Sequence, residues 1–560
     1  MGIRPPVNDV FDYIVIGAGT AGGVIAKKLT DDFRTSVLVL EAGTNMANLS
    51  PSIETAGFLA NDNKLSFMVF SNPEEMIGRQ LRAWGGRVIG GSSQHNFMTS
   101  VRGSRGLYDQ WATLVGRQWS YENIRSLFIQ NETYTGLSQN PDERGINGPI
   151  YVRQQSTPPS GIINTLTVAT SEALGIPIVE DYNTGIVDCT FTKTQLIQQA
   201  VEGGFVRSST ATGYLNRQIV TQGDEFHSDE FGVGGRKLVI YAKTTVNKII
   251  FKKKAGANIA VGVDFVRDGD SQKAYARKGI IVSAGIFSSV VLQRSGIGRR
   301  SELEAAGIQT IVDSPHVGHN FLTHYFVPMG IEVETSRLLQ VLSVEPNLPA
   351  LLGAFKSYQE PGRRLQLIGL PTSFFIPIQE VMIRNWQFNP NNPSNIMSIA
   401  ISDLNPKSKG TIRAAHSDPE AYPTIEFHPL QNPDDLAYII DRYIETFNII
   451  ERARELDPSG IYRVVFPQEE IFLIDDEEEK REQLASFVRA TYLNYAHFGG
   501  NCRMGRTIQD GVVDGFLNVF GTKNLKVADL SIAPILPDGN TSNPAQMIGL
   551  NAVRFIRNGL

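Results

Sequence analysis

Cysteine is nearly absent from this chain: there are two in 560 residues, Cys189 and Cys502, far apart and in no Cys-x-x-Cys pair. A disulfide framework and a cysteine-based zinc site are therefore excluded as organising devices, and no metal centre is expected. So little cysteine fits a reducing compartment. Long apolar runs are missing too; none approaches the roughly 18 residues that span a bilayer, so no transmembrane segment is expected. The start, Met1-Gly2-Ile3-Arg4-Pro5-Pro6, lacks the apolar core of a signal peptide, and Pro6 stands where a myristoylation match needs Ser or Thr. A cytoplasmic setting is the expectation. The net charge is −5 and no Lys/Arg-rich tract occurs, which argues against a nucleic-acid partner. The densest charge, Asp475-Asp476-Glu477-Glu478-Glu479-Lys480-Arg481-Glu482, reads as a solvated helix start or loop.

What is present suits a large folded enzyme. Hydrophobic residues make up 41% and charged residues 19%, enough to bury more than one core. Phe11–Ile16 is a short apolar run of the kind that forms a buried parallel strand. It breaks at Gly17-Ala18-Gly19-Thr20-Ala21-Gly22 and continues as a helical pattern through Val24, Ile25, Ala26 and Leu29. A second apolar strand, Ser36–Leu40, ends on Glu41. Further on, Lys237–Tyr241, Val246–Phe251 and Ile259–Phe265 read as strands of an antiparallel meander, and Gly279–Gly285 as a buried strand turning into a helix. From about 314 to 488 prolines become frequent and the strand–helix rhythm is lost, as expected of a second domain. Strand-then-helix character returns from Leu525.

The glycines of the first turn have separate tasks. Gly17 permits the tight turn, Gly19 lets backbone approach a pyrophosphate, and Gly22 allows the helix to pack closely on the strand. Phosphate at the helix N-terminus meets free N–H groups and the positive dipole end. Glu41 is placed to accept hydrogen bonds from a ribose 2′-OH, which disfavours NADP. This unit predicts a dinucleotide site without separating FAD from NAD.

Other segments resemble the glucose–methanol–choline (GMC) flavin oxidoreductases. Trp84–Asn96, with Gly90-Gly91-Ser92-Ser93 at its centre, is similar to that family's first signature, and Ser283–Ser289 leading to Ser295-Gly296-Ile297-Gly298 to its second. Val101-Arg102-Gly103, Tyr108–Trp111, His497–Gly505, Val527–Ser531, Asp538–Pro544 and Met547-Ile548-Gly549 follow in family order. The resemblance implies an α/β protein: a Rossmann-like FAD-binding domain from 1–155, 205–313 and 489–560, and an α+β substrate-binding domain from 156–204 and 314–488. FAD contacts are then expected from Gly17, Gly19, Thr20, Ala21, Gly22, Glu41, Ala42, Arg87, Gly91, Ser92, His95, Asn96, Val246, Ala284, Asp529, Asn543 and Pro544. Val246 matches the position on which the adenine rests, and Asp529 the one that meets the sugar chain and phosphates. His95 stands where some members attach FAD covalently, and Phe97 is bulky enough to restrict the flavin's reacting side.

The implied reaction is oxidation of an alcohol CH–OH to an aldehyde or ketone, with hydride passing to flavin N5 and O₂ or another acceptor reoxidising the cofactor. Such chemistry needs a base for the hydroxyl proton, and histidine suits it because it is largely neutral at physiological pH. Of eight histidines, His497 matches the family's histidine near the flavin. Asn540 and Asn543 compete as its partner; Asn543 is favoured because Pro544 follows and the match runs without gaps to Arg554. A plainer reading makes Asn543 a helix N-cap with Pro544 in the first turn. His497 is followed by Phe498-Gly499-Gly500-Asn501, where many members have Pro, and this departure bears on the shape of the pocket. Flavin-scaffold lyases of the hydroxynitrile type and light-driven decarboxylases are the alternative classes. Phe374, Phe375 and Trp386 are candidates for an apolar substrate wall, with core packing the commoner fate of such side chains.

Overall fold

The computed structural model describes residues 10–45, 65–155, 161–185, 188–223, 228–337, 352–358, 363–370 and 395–560. Phe374, Phe375 and Trp386 lie outside the described residues. Two β-sheets organise the chain. The first has nine strands, and the apolar run Val10–Ile16 lies within it, parallel to Val37–Leu40 on one side and to Tyr275–Val282 on the other. All four residues of Val37–Leu40 are buried, as a strand covered on both faces requires. Leu525–Val527 joins parallel to Ile280–Val282, so the end of the chain returns to the sheet begun by its start.

The meander differs from the sequence expectation in one strand. Leu238–Tyr241 lies parallel to Val37–Leu40, one strand in from the edge of the sheet, and the antiparallel meander is instead Thr244–Lys254, Ala257–Arg267 and Asp270–Val282. Leu238–Tyr241 is an almost wholly buried apolar run, and Lys243, with φ +52°, takes the chain out of it at a sharp turn. The 13-residue strand Asp270–Val282 serves both halves: its first part is antiparallel to Ala257–Arg267 and its second parallel to Val10–Ile16.

The second sheet has seven strands in the order Arg463–Phe466, Tyr325–Glu332, Ile396–Asp403, Arg363–Leu370, Leu352–Tyr358 and Cys189–Phe191, with Leu493–Asn494 paired to Tyr325–Phe326. Helices Gly161–Leu174 and Pro433–Leu456 pack together over this half. Pro433–Leu456 starts as its sequence dictates: the Asn432 side chain accepts from the Asp434 N–H, Pro433 fills the first turn, and Asp434 and Asp435 complement the dipole. The acidic run also resolves as a helix start, Glu477–Thr491, capped by Asp476. The last helix, Ser542–Arg557, packs on Gly22–Leu29; a Cβ at Gly549 would lie 2.8 Å from the Ala21 carbonyl oxygen. No helix among the described residues is long and apolar enough to cross a membrane.

Candidate active site

The N-terminal turn is shaped by backbone contact. Gly17 has φ +98°, and a Cβ there would sit 2.5 Å from the Ser283 carbonyl oxygen; one at Gly22 would sit 2.0 Å from the Gly17 carbonyl oxygen. A second turn meets the first: Gly91 (φ +54°) lies so close that its Cβ would fall 2.7 Å from Gly19 Cα, while the Gly90 N–H donates to the Ala18 carbonyl at 2.8 Å. Gly17, Gly19 and Thr20 keep open surface in this cradle, and Ala21 and Gly22 behind them are buried. The Thr20 carbonyl is held by Thr210 Oγ1 at 3.0 Å.

Glu41 is buried and holds the same turn. Its two carboxylate oxygens accept from the Ala18 and Gly43 N–H groups, each at 2.8 Å. Burial pushes its pKa up, opposed by those two hydrogen bonds and the nearby charge of Arg87. Half-buried Ala42 follows, and the Gly43 backbone runs against that of Arg87. Val246 is buried on the strand Thr244–Lys254, whose first N–H donates to the Glu41 carbonyl at 2.8 Å. Asp529 accepts from the Gly285 N–H at 2.8 Å and Ser288 Oγ at 2.6 Å, and so fixes the turn after Ala284. Its pKa is raised by burial. Ser92 is exposed and accepts from the Gly86 N–H at 3.1 Å.

Beside this cradle stands His95, buried and stacked on Trp84 at 5.7 Å between centroids. Neither of its ring nitrogens closes a hydrogen bond among the described residues. Burial, then the charge of Arg207, pushes its pKa down to about 4, so the imidazole is neutral. Asn96 accepts from the Met98 N–H at 3.0 Å and from Arg207 at 2.7 Å. Asn543 donates to Ser100 Oγ at 2.8 Å, and its buried Oδ1 has no partner among the described residues. A pair of glycine turns closed by backbone contact, with orphaned polar atoms on His95 and Asn543 beside them, fits a dinucleotide that carries a polar ring.

The second sheet contributes the facing wall. His497 follows Ala496, which is held at φ +58°, a strained position for a residue with a Cβ; the Asn494 side chain accepts from its N–H at 3.1 Å. The imidazole stacks on Tyr495 (5.4 Å, 17°), and Tyr495 is tied through its hydroxyl to Ser402 Oγ at 2.9 Å. His497 Nδ1 lies 3.0 Å from Nδ1 of the buried His324, and Nε2 lies 3.4 Å from Asn540 Nδ2. Asn540 Oδ1 is 3.4 Å from Gln366 Nε2. Burial pushes the pKa of His497 down to about 3. The His497 side chain is half-buried. Asp538, two residues before Asn540, accepts from the Ser104 N–H at 2.7 Å and from Arg364 at 2.6 Å.

The expected pairing of His497 with Asn543 is not a direct contact in this structure. The last helix begins at Ser542, so Asn543 and buried Pro544 sit in its first turn, and the Asn543 amide nitrogen donates to Ser100. Asn540, in the loop before the helix, reaches His497. Asn543 is not the N-cap either; Thr541 occupies that place without a side-chain bond. Sequence reasoning also missed Tyr495, His324 and Gln366. Tyr495 stands two residues from His497, the strand spacing that puts two side chains on one face. His324 heads the apolar run Tyr325–Ile331, a polar residue at the mouth of a buried strand.

Family models for the N- and C-terminal parts of GMC oxidoreductases match residues 11–326 and 406–549. The chain belongs to the GMC oxidoreductase family. It is an FAD-dependent oxidoreductase acting on CH–OH donors. The oxygen-dependent choline dehydrogenase 1 of Chromohalobacter salexigens is 29% identical over 96% of this chain and 93% of its own. The 5-(hydroxymethyl)furfural oxidase of Methylovorus sp. is 26% identical over 97% of each chain. Among solved structures, pyridoxine 4-oxidase from Mesorbium loti shares the GMC fold with a TM-score of 0.79 at 20% identity, covering 98% of this chain and 99% of that one.

Proposed function

We propose that this GMC oxidoreductase oxidises a small alcohol to an aldehyde or ketone, with His497 as the base and Asn540 as its hydrogen-bonding partner at the substrate oxygen. The observation that carries the reading is the meeting of His497 Nε2 with the Asn540 amide at 3.4 Å, in a wall built by Tyr495, His324 and Gln366. His497 takes the hydroxyl proton on Nε2. A half-buried imidazole held neutral is in the state a base requires. Asn540 orients the hydroxyl without competing for its proton, and the stacked Tyr495 keeps the ring in place. FAD, when bound, supplies the acceptor for the electron pair that leaves the carbon; O₂ or another oxidant then restores it. The cradle of Gly17, Gly19 and Gly91 would hold its diphosphate, Glu41 its ribose, and Asn543 and His95 the ring side, where His95 is a candidate for covalent attachment. In this reading 1–155, 205–313 and 489–560 bind the cofactor, and 156–204 and 314–488 cover the substrate. The two curated relatives support the substrate class, since their names carry choline and a hydroxymethyl compound.

The test is anaerobic mixing of the yellow holoprotein with primary, aryl and sugar alcohols, followed by air. Bleaching by an alcohol is expected and separates this reading from a lyase or a light-driven decarboxylase. His497→Ala is expected to retain FAD and slow bleaching by roughly 10²-fold or more. Unchanged bleaching in that variant would remove His497 from the mechanism. Acid precipitation decides the linkage: a yellow pellet means covalent FAD, a yellow supernatant free FAD.

A further inference from the structure

Five groups in line determine where the protons of the His497 pair reside. Gln366 Nε2 and Asn540 Nδ2 are amide nitrogens, which donate and do not accept. Gln366 therefore donates to Asn540 Oδ1, and Asn540 donates to His497 Nε2. An Nε2 that accepts carries no hydrogen, so the neutral ring of His497 bears its proton on Nδ1. That nitrogen lies 3.0 Å from His324 Nδ1, which must then accept. His324 is left with its own proton on Nε2, and the Pro537 carbonyl, an acceptor only, lies toward this ring in a geometry looser than a regular hydrogen bond. Pro537 belongs to the same loop as Asn540, so the line starts and ends on fixed backbone.

The opposite arrangement fails at its far end. If His324 Nδ1 carried the proton, His497 would hold its own on Nε2, facing the Asn540 N–H donors. Relief would require both amides, Asn540 and Gln366, to turn over. His324 Nε2 would then be a lone pair in a fully buried place, and the Pro537 carbonyl near this ring has no hydrogen to give it. Protonating both rings is excluded by burial, which holds each imidazole neutral.

We propose that Gln366 and His324 are positioning residues that lock His497 in its Nδ1–H tautomer, leaving Nε2 unprotonated, with its lone pair on the Asn540 N–H until a substrate hydroxyl takes that place. The inference deepens the reading of His497 as base and rests on it for its meaning in catalysis, though the tautomer is measurable without turnover. Both residues touch the pair and neither has to touch the alcohol. Gln366 acts through Asn540, by fixing which end of that amide faces the ring, and His324 acts by accepting at Nδ1.

The experiment uses oxidised holoprotein labelled with ¹⁵N-histidine, with the His497 resonances identified by their loss in His497→Gln. Long-range ¹H–¹⁵N correlation is expected to show Nδ1 of His497 as the protonated nitrogen and Nε2 as the bare one. The reverse pattern overturns the proposal whatever the activity. In His324→Leu and Gln366→Leu the single tautomer is expected to give way to a mixture, with anaerobic bleaching slowed by about 10-fold, the worth of one hydrogen bond. His324→Asn, which keeps an acceptor at the δ position, is expected to recover both signals. An unaltered tautomer in both leucine variants would likewise overturn it. Failure of the base reading has a different signature: His497→Ala bleaching at the normal rate.

Discussion

The two sides of the candidate site are built in opposite ways. The cofactor side is mostly backbone: Gly17, Gly19, Gly22 and Gly91 bring main chain against main chain, and Glu41 and Asp529 spend their carboxylates on main-chain N–H groups. The substrate side is side chain throughout, with His497, His324, Tyr495, Asn540 and Gln366 each held by another side chain. A surface made of backbone tolerates no added carbon, whereas one made of side chains can be retuned residue by residue. A family can thus keep one cofactor and vary its alcohol.

The largest effect should come from breaking the backbone side. Gly17→Ala places a Cβ 2.5 Å from the Ser283 carbonyl oxygen at a φ of +98° and should yield protein with little or no bound FAD, read as visible absorbance per protein. Gly256→Ala, also at positive φ but facing open space, should retain the flavin and lose only about 1 kcal/mol of stability. On the substrate side, Asn540→Ala should keep FAD and slow anaerobic reduction by roughly 10- to 100-fold. Asn543→Ala should reduce flavin occupancy more than rate. The opposite ranking in stopped-flow traces would return Asn543 to the place beside His497.

The two neutral imidazoles, His95 and His497, give a smaller, pH-dependent effect. Burial depresses His497 to about 3 and His95 to about 4, so both folded-state values lie below the ordinary histidine value of about 6.5. Their contribution to stability is complete above about pH 6.5 and is lost as pH falls toward those values, because only the unfolded chain takes up the protons. Thermal unfolding should show a loss of about 2 kcal/mol attributable to His95 between pH 7 and pH 4.5, reduced in His95→Gln. By the same reasoning reduction by alcohol should be flat from pH 5 to pH 8; an acid limb near 6.5 would mean that His497 meets water. The smallest change is expected far from both sides. Asp476→Ala removes the cap on Glu477–Thr491 and should cost about 1 kcal/mol in denaturant titration with catalysis unchanged.

How much of this was legible in the sequence follows from the same contrast. A backbone turn needs particular residues in a row, so Gly17-Ala18-Gly19-Thr20-Ala21-Gly22 and Gly90-Gly91 were visible as text. The parallel strands around them were visible as apolar runs. The partner of His497 was not, because Asn540 and Asn543 differ by less than one helical turn in sequence, and only the start of the helix at Ser542 decides which way each amide points. His324 just precedes a strand and Gln366 lies on one; both reach the site through sheet pairing with segments distant in sequence, which leaves no local pattern. Leu238–Tyr241 was assigned to the wrong neighbours for a related reason: a short apolar run states that it is buried and not which strand lies beside it.

Asp538 joins the two sides. One carboxylate grips Ser104, which begins a helix of the cofactor half, and the Arg364 guanidinium on a strand of the substrate half, two residues before Asn540. Prying the halves apart like a clamshell would tear this rivet and carry His324 and Gln366 away from His497 and Asn540 in the same motion. The alignment of the base therefore depends on the two halves staying docked.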